Sequence, residues 1–321
     1  MTHKPGNRRR PGPIELVLPA TSANLGPAFD AAALAFALYI RVRAHAAPAF
    51  SVVARGREAD ICGSAENHLI LDTYREVLAA QGRPVVPLAL RLENQMPIGK
   101  GCGSSAAARL AGIALAVHFG DLRWSDCQIV GEAARREHHP DNAAACWMGG
   151  LAVARMSGDA EAQQVKFKPK GKWPLLFVVP DEPLSTEQAR KVLPAHYSRA
   201  DSVSNVQNSM LLLGAFTQGR HELLATALDD RMHQPYRAPL CPLLPALQEV
   251  AGQAGILGVA LSGAGPSVLV FLDPKGSKAG ARACIASVLR KRALKAELML
   301  TRIAERGARD GTAWKRAHAQ R

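Results

Sequence analysis

The sequence predicts an α+β protein. Strand-length apolar runs and helix-length alanine-rich runs both occur, and they follow one another without regular βα alternation. Of 321 residues, 48% are hydrophobic and 21% charged, so a sizeable core is available. At roughly 100–200 residues per domain the chain holds about two domains. Aromatics make up only 5%, so the core should be built from Ala, Val, Leu and Ile.

The elements follow in order. Ile14–Leu18 is a short strand-like run, and Pro19–Asp30 after it reads as turn-like. Ala35–His45 alternates as a strand does. Val85–Leu92 reads as a strand, followed by the glycine-rich loop Met96–Ser105. Ala106–Phe119 is alanine-rich and free of proline, which favours a helix. Ser125 with Gln128 resembles a capping box and opens a helix to about Glu137. His138-His-Pro-Asp-Asn142 interrupts it, because proline and Asx residues favour turns.

Gly149–Arg155 and Leu175–Val179 are strand-like. Val203–Phe216, His221–Asp229 and Leu243–Ala254 read as helices. Gly258–Leu261 and Ser267–Leu272 form strands around the tight turn Ser262–Gly265. Ala279–Arg292 is a helix and Ala296–Ile303 a last strand. A domain break is expected near 155–172, where Glu161–Lys172 is polar. The expected layout is a basic disordered tail 1–12, domains 13–160 and 161–305, and a basic tail 306–321.

The longest apolar stretches, 30–40 and 106–119, are far short of the ~20 residues a membrane span needs. The start is basic and proline-rich without an apolar h-region, so a secretory signal is not expected and a cytoplasmic location is. The six cysteines show no CxxC spacing, which excludes zinc-ribbon and thioredoxin motifs and leaves buried free thiols. The net charge of +13 invites a nucleic-acid reading. The excess sits in 1–13, 275–297 and 302–321, while the rest is near neutral. Solvated surface is the plainer reading, and no RNA-binding aromatic motif or helix-turn-helix signal accompanies it.

Three motifs carry chemistry. Pro97–Ser105 alternates glycines at 99, 101 and 103, then runs through Ser104 and Ser105 into a helix. Glycines let backbone approach a ligand, and the helix start offers unpaired N–H groups and positive dipole, which together make an anion site suited to phosphates. The serine hydroxyls could hold Mg2+ or a phosphate oxygen. The spacing is neither a Walker A loop nor G-x-G-x-x-G. Pro19–Asp30 offers Asn24 and Asp30 for an amine or hydroxyl, although read alone a turn with Asx hydrogen bonds is the plainer reading. Leu261–Val268 could close backbone N–H groups of Gly263 and Gly265 over a phosphate, or be a plain hairpin.

Taken together, in this order and spacing, the three motifs resemble those of the GHMP small-molecule kinases. His139-Pro-Asp-Asn142, Gly149-Gly-Leu151, Ser185–Arg190 with Leu193-Pro194, and His233-Gln-Pro-Tyr-Arg237 resemble the homoserine kinase branch. The likeness spans about 14–303. Ala28 and Ala33 depart from glycine, and Cys102 from leucine.

The resemblance implies a ribosomal protein S5 domain 2-like N-terminal domain and a ferredoxin-like C-terminal domain, with the site between them. It implies ATP on Pro97, Gly99, Lys100, Gly101, Gly103, Ser104, Ser105, Gly263 and Gly265, with Asn67 near adenine. Mg2+ would lie by Ser104, Ser105 and Glu132. For L-homoserine, Arg190 and Arg237 match the carboxylate, Asp30 the ammonium, and Asn142, His139 and Asn24 the hydroxyl. Catalysis would rest on Asn142, Glu132 and Ser104 through positioning and charge stabilisation, without a dedicated base. Another alcohol substrate, or a polyanion-binding protein on a retired kinase scaffold, are the competing readings. Partners expected are L-homoserine and ATP, with no membrane and no nucleic acid; a homodimer is left open.

Overall fold

A computed structural model describes residues 11–318, and its strands form two sheets. In the first, β1 (Ile14–Asn24) and β2 (Ala28–Ala46) pair as an antiparallel hairpin. β3 (Ser51–Gly56) leads through α1 (Ala59–Gly63) and α2 (Leu69–Ala80) to β4 (Leu88–Asn94). Helices α3 (Ser104–Phe119), α4 (Asp126–Glu137) and α5 (Asp141–Met148) follow, then β5 (Leu151–Met156) and β6 (Ala162–Phe167). The order is β3-β4-β2-β5-β6 with β1 on β2; β3 and β4 alone run parallel.

The second sheet contains β7 (Pro174–Pro180), β8 (Ile256–Leu261), β9 (Val268–Leu272) and β10 (Ala296–Arg302). Between β7 and β8 the chain makes α6 (Thr186–Lys191), α7 (Arg199–Gln218), α8 (Leu224–Ala227), α9 (Gln234–Arg237) and α10 (Leu243–Gln248). α11 (Lys278–Lys291) joins β9 to β10. The antiparallel order β10-β7-β9-β8 is that of a βαββαβ unit, as the ferredoxin-like expectation required.

Ala, Leu, Val and Ile make up most of the core, as expected, but large aromatics such as Phe36, Tyr74, Trp147, Phe177, Phe216 and Phe271 are fully buried in it too. α3 is buried on nearly every side, which its alanines permit. Gly112 lets α2 approach closely: a Cβ there would stand 2.5 Å from the Ile70 carbonyl oxygen and 2.7 Å from Thr73 Cβ. The Ser125–Gln128 capping box forms as read, and α4 ends where His138 turns left-handed at φ 69° ahead of Pro140.

Three expectations are corrected here. Residues 19–24 continue β1, because Ala20, Thr21, Ser22 and Ala23 pair with β2; the turn is confined to 25–27. β6 belongs to the first sheet, so the passage between sheets falls at 168–173, not at 160. Cys127 is exposed and Cys284 half-buried, while the other four free thiols are buried.

The C-terminal stretch 306–318 is structured. A short turn at Ala308–Asp310 precedes α12 (Thr312–His318), and Arg309 reaches Asp126 at 2.6 Å. Trp314 is buried edge-on to Trp147 with ring centroids 5.0 Å apart. Trp314→Ala should therefore cost about 3 kcal/mol, the lower end for a buried aromatic, which urea denaturation would measure. A free tail would show no change. The expected N-terminal tail lies outside the described residues up to Arg10. Among the described residues no helix is long and apolar enough to cross a membrane.

Candidate active site

The end of β1, the glycine loop and the β8–β9 turn are stitched together at one point. Thr21 N–H donates to the Cys102 carbonyl at 3.0 Å, and Gly263 N–H to the Ala23 carbonyl at 3.1 Å. Ser262 Oγ donates to the Gly101 carbonyl at 2.6 Å and lies 2.9 Å from Ser22 Oγ. Asn24 braces the same junction: its amide donates to the Gly263 carbonyl at 2.9 Å and accepts from Asp30 N–H at 3.0 Å. Both ends of that side chain are thus engaged by protein.

A cleft opens here. Its walls include Asn24, Asp30, Gly99, Gly101, Gly103, Ser104, Ser105, His139, Asn142, Arg190, Arg237, Gly263 and Gly265. Residues separated by more than 200 positions meet because the second sheet's hairpin turn sits against the first sheet's glycine loop. Glycines 99, 101 and 103 all take positive φ, and Gly103 caps α3 in the left-handed region. The unpaired N–H groups of the α3 N-terminus therefore face the cleft.

Glu137, not Glu132, is the carboxylate at this end. Ser105 Oγ donates to Glu137 Oε1 at 2.7 Å, and Arg109 Nε donates to the same oxygen at 2.5 Å. Glu132 lies outside the cleft, held by Arg135 and Arg136 at 2.8–3.0 Å. Burial pushes its pKa up, but the two arginines win and hold it below the usual range. Five residues on a helix turn through about 140°, so the two side chains cannot face the same way. Lys100 also turns aside: its Nζ donates to the carbonyls of Pro180 and Asp181 at 3.0 and 2.7 Å.

The opposite end carries charge in matched form. Arg190 Nη2 donates to both Asp30 oxygens, at 2.8 and 3.0 Å. Arg237 is 1% exposed and donates only to neutral acceptors: the carbonyls of Ala189 at 2.9 Å and Gly263 at 3.2 Å, and His233 Nδ1 at 3.2 Å. Among the described residues, no carboxylate stands within ion-pair distance of it. Burial first, then the Arg190 charge, lower its pKa to about 10, so it remains a cation at neutral pH. His233 Nε2–H donates to the Gly26 carbonyl at 2.8 Å, which frees Nδ1 to accept from Arg237, and burial keeps the ring neutral.

Between the two ends stand His139 and Asn142. His139 Nδ1–H donates to the fully buried Asp141 at 2.6 Å. Burial alone would lower the His139 pKa, but the bond and charge of Asp141 raise it above the ordinary value. Thr21 Oγ1 donates to Asn142 Oδ1 at 2.6 Å, which orients the amide with its NH2 as the free end.

An apolar pocket adjoins the loop, sharing Gly99, Ser104 and Ser105 with the cleft and lined further by Ile40, Ile61, Asn67, Ile70 and Met96. Asn67 is thus at the pocket that could seat a flat base. Ala28 and Ala33 are not among the positive-φ residues and do not line the cleft, so their methyls do not enter it. Cys102 is buried, its Sγ donating to the Pro97 carbonyl at 2.9 Å, and burial pushes its pKa up to about 12. Glu137, Asp141 and Thr21 were missed from sequence. Only Glu137 and Asp141 had a signal, standing beside or within the His139–Asn142 motif.

A glycine cradle at a helix start, facing the turn of a βαββαβ sheet across a shared cleft, defines a small-molecule kinase of the GHMP type. The model of the GHMP kinases N terminal domain matches residues 68–150, and that of the GHMP kinases C terminal matches 212–291. A homoserine kinase of Solibacter usitatus is 42% identical over 260 residues, 81% of this chain and 85% of the relative. One of Deinococcus radiodurans is 39% identical over 287 residues, 89% and 93% of the two chains. The crystal structure of homoserine kinase from Cytophaga hutchinsonii aligns at TM-score 0.76 and 21% identity, covering 95% of this chain and 99% of that one. The chain belongs to the homoserine kinase family of the GHMP kinases.

Proposed function

We propose that this enzyme transfers the γ-phosphoryl group of ATP to the side-chain hydroxyl of L-homoserine, giving O-phospho-L-homoserine, in the cytoplasm and toward threonine. The observation that carries the reading is Arg237, a buried cation facing the cleft whose hydrogen-bond partners among the described residues are all neutral. A buried charge is stable when a counter-charge arrives, and a substrate carboxylate is that counter-charge. Asp30 adds the anion an ammonium needs. One cation beyond a balanced Arg190–Asp30 pair is complementary to an amino acid set beside ATP phosphates.

The phosphates would rest on the loop N–H groups and the α3 start, and the base in the apolar pocket. The donor set beside them is all oxygen, Ser104 and Ser105 hydroxyls with Glu137, which fits Mg2+. When bound, the ion would neutralise phosphate charge. The protein's own part is orientation. Asn142, fixed by Thr21, and the braced His139 hold the hydroxyl toward the γ-phosphate, and its proton leaves with the transferred phosphoryl oxygens.

ADP release with Mg-ATP tests this across L-homoserine, D-homoserine, L-threonine, L-serine and mevalonate. Turnover confined to L-homoserine is expected; preferential turnover of mevalonate would discard the substrate assignment. The metal assignment has its own test. Glu137→Gln should lower kcat about 100-fold and raise the Mg2+ concentration needed, comparable to loss of one charged catalytic group. Glu132→Gln should leave both unchanged. The reverse pattern would restore Glu132 to the site.

A further inference from the structure

We infer that Phe29 is a positioning residue for substrate binding, a π-face that keeps the Arg190 and Arg237 guanidinium groups converged on one carboxylate. The inference rests on the homoserine reading above. Phe29 does not figure in the mechanism and carries no polar atom. Its ring centroid nevertheless lies 5.7 Å from Arg190 Cζ and 5.3 Å from Arg237 Cζ, both within cation–π range. The same ring stacks on His233 at 5.3 Å with planes 24° apart. His233 in turn accepts from Arg237, so ring, imidazole and guanidinium form one packed unit.

The physical need is specific. Two cations aimed at one point repel each other, and the pKa of Arg237, lowered first by burial, is lowered further by the neighbouring Arg190 charge. Arg190 is held in place by Asp30, through a single nitrogen. In the proposed complex Asp30 also serves the substrate ammonium, so its hold on Arg190 is shared at the moment Arg190 must stay aligned. The negative face of an aromatic ring attracts both guanidinium groups and is not used up by substrate. An aliphatic side chain of similar volume would fill the space without that attraction.

The test separates π-electrostatics from packing. Phenylalanine analogues with one, two and three ring fluorines at position 29 keep the shape while weakening the negative face. KM for L-homoserine should rise stepwise to about ten-fold at three fluorines, within the cation–π range. KM for ATP and kcat should stay within about two-fold, as expected when only ground-state and transition-state binding are lost equally. Phe29→Leu should match or exceed the trifluoro variant. A flat homoserine KM across the fluorine series, or parallel movement of the ATP KM, would overturn the proposal in favour of a packing role. Absence of turnover by the unsubstituted enzyme would instead overturn the homoserine reading, a separate result.

Discussion

Arg237→Met is expected to lower kcat/KM for L-homoserine by about a thousand-fold, because losing one partner of a desolvated charge pair costs about 3–5 kcal/mol and each 1.4 kcal/mol is tenfold. The loss should fall mainly on KM for L-homoserine, with ATP binding little changed, since the bonds of Arg237 go to Ala189, His233 and Gly263 rather than to Pro97–Ser105, and it does not line the apolar pocket beside the loop. Arg237→Lys keeps the charge but not the planar fork, and should fall between the two. The effect on stability is expected to be small. Methionine removes a buried cation that, among the described residues, has no carboxylate within ion-pair distance, which is favourable. It also strips a donor from the Ala189 and Gly263 carbonyls and from His233, which is unfavourable. These oppose each other, so thermal melting should separate a binding defect from a folding one. A variant that retained the homoserine KM would remove the observation on which the substrate assignment stands.

The parts of this site legible in the sequence are those fixed by backbone chemistry. Alternating glycines ahead of an alanine-rich run can do little but form a cradle at a helix start, and all three take positive φ. Asp30, Arg190 and Arg237 could be picked out through family likeness, and the fold brings them to one cleft. What could not be read was direction. Glu132 and Glu137 are both acidic residues of one helix, and only the phase of α4 against α3 decides which reaches Ser105. Lys100 sits inside the loop motif yet turns to the carbonyls of Pro180 and Asp181, an outcome set by β7.

The same holds at the level of elements. The sequence expectation covers neither β3 nor α2, although Ile70, Leu71, Tyr74, Val77 and Leu78 fall at helical spacing and are all buried. The C-terminal residues were read as a charged tail because charge dominates their composition. Trp314 seated on Trp147, the buried Ala308 and the Arg309–Asp126 pair dock them together, and isolated anchors of this kind are weak in any averaged pattern.

Gly103→Ala should abolish measurable phosphoryl transfer, a fall of about a thousand-fold or more, since a 1 Å misplacement alone costs on the order of 100-fold. The added Cβ would stand 1.9 Å from Thr21 Oγ1 and 3.0 Å from Asn142 Oδ1. Those two atoms are joined by the 2.6 Å bond that orients Asn142. Thr21 is fully buried in β1 and cannot swing into solvent. Either its hydroxyl rotates and releases Asn142, or the loop withdraws and the Thr21–Cys102 backbone bond breaks. Each route misplaces a group that faces the reacting atoms, while the sheets themselves are untouched and circular dichroism should be unchanged. Position 103 also lies at φ 68°, where alanine is strained by about 1 kcal/mol. The two causes can be told apart by a second substitution. Thr21→Ala alone should cost about ten-fold in kcat, because Asn142 loses its orienting partner, worth roughly one hydrogen bond. Added to Gly103→Ala it removes the colliding oxygen, so the double variant should be more active than Gly103→Ala alone. That sign reversal is the signature of two residues coupled through one contact. A double variant no better than Gly103→Ala would mean that backbone strain, not the Thr21 collision, reserves this position for glycine.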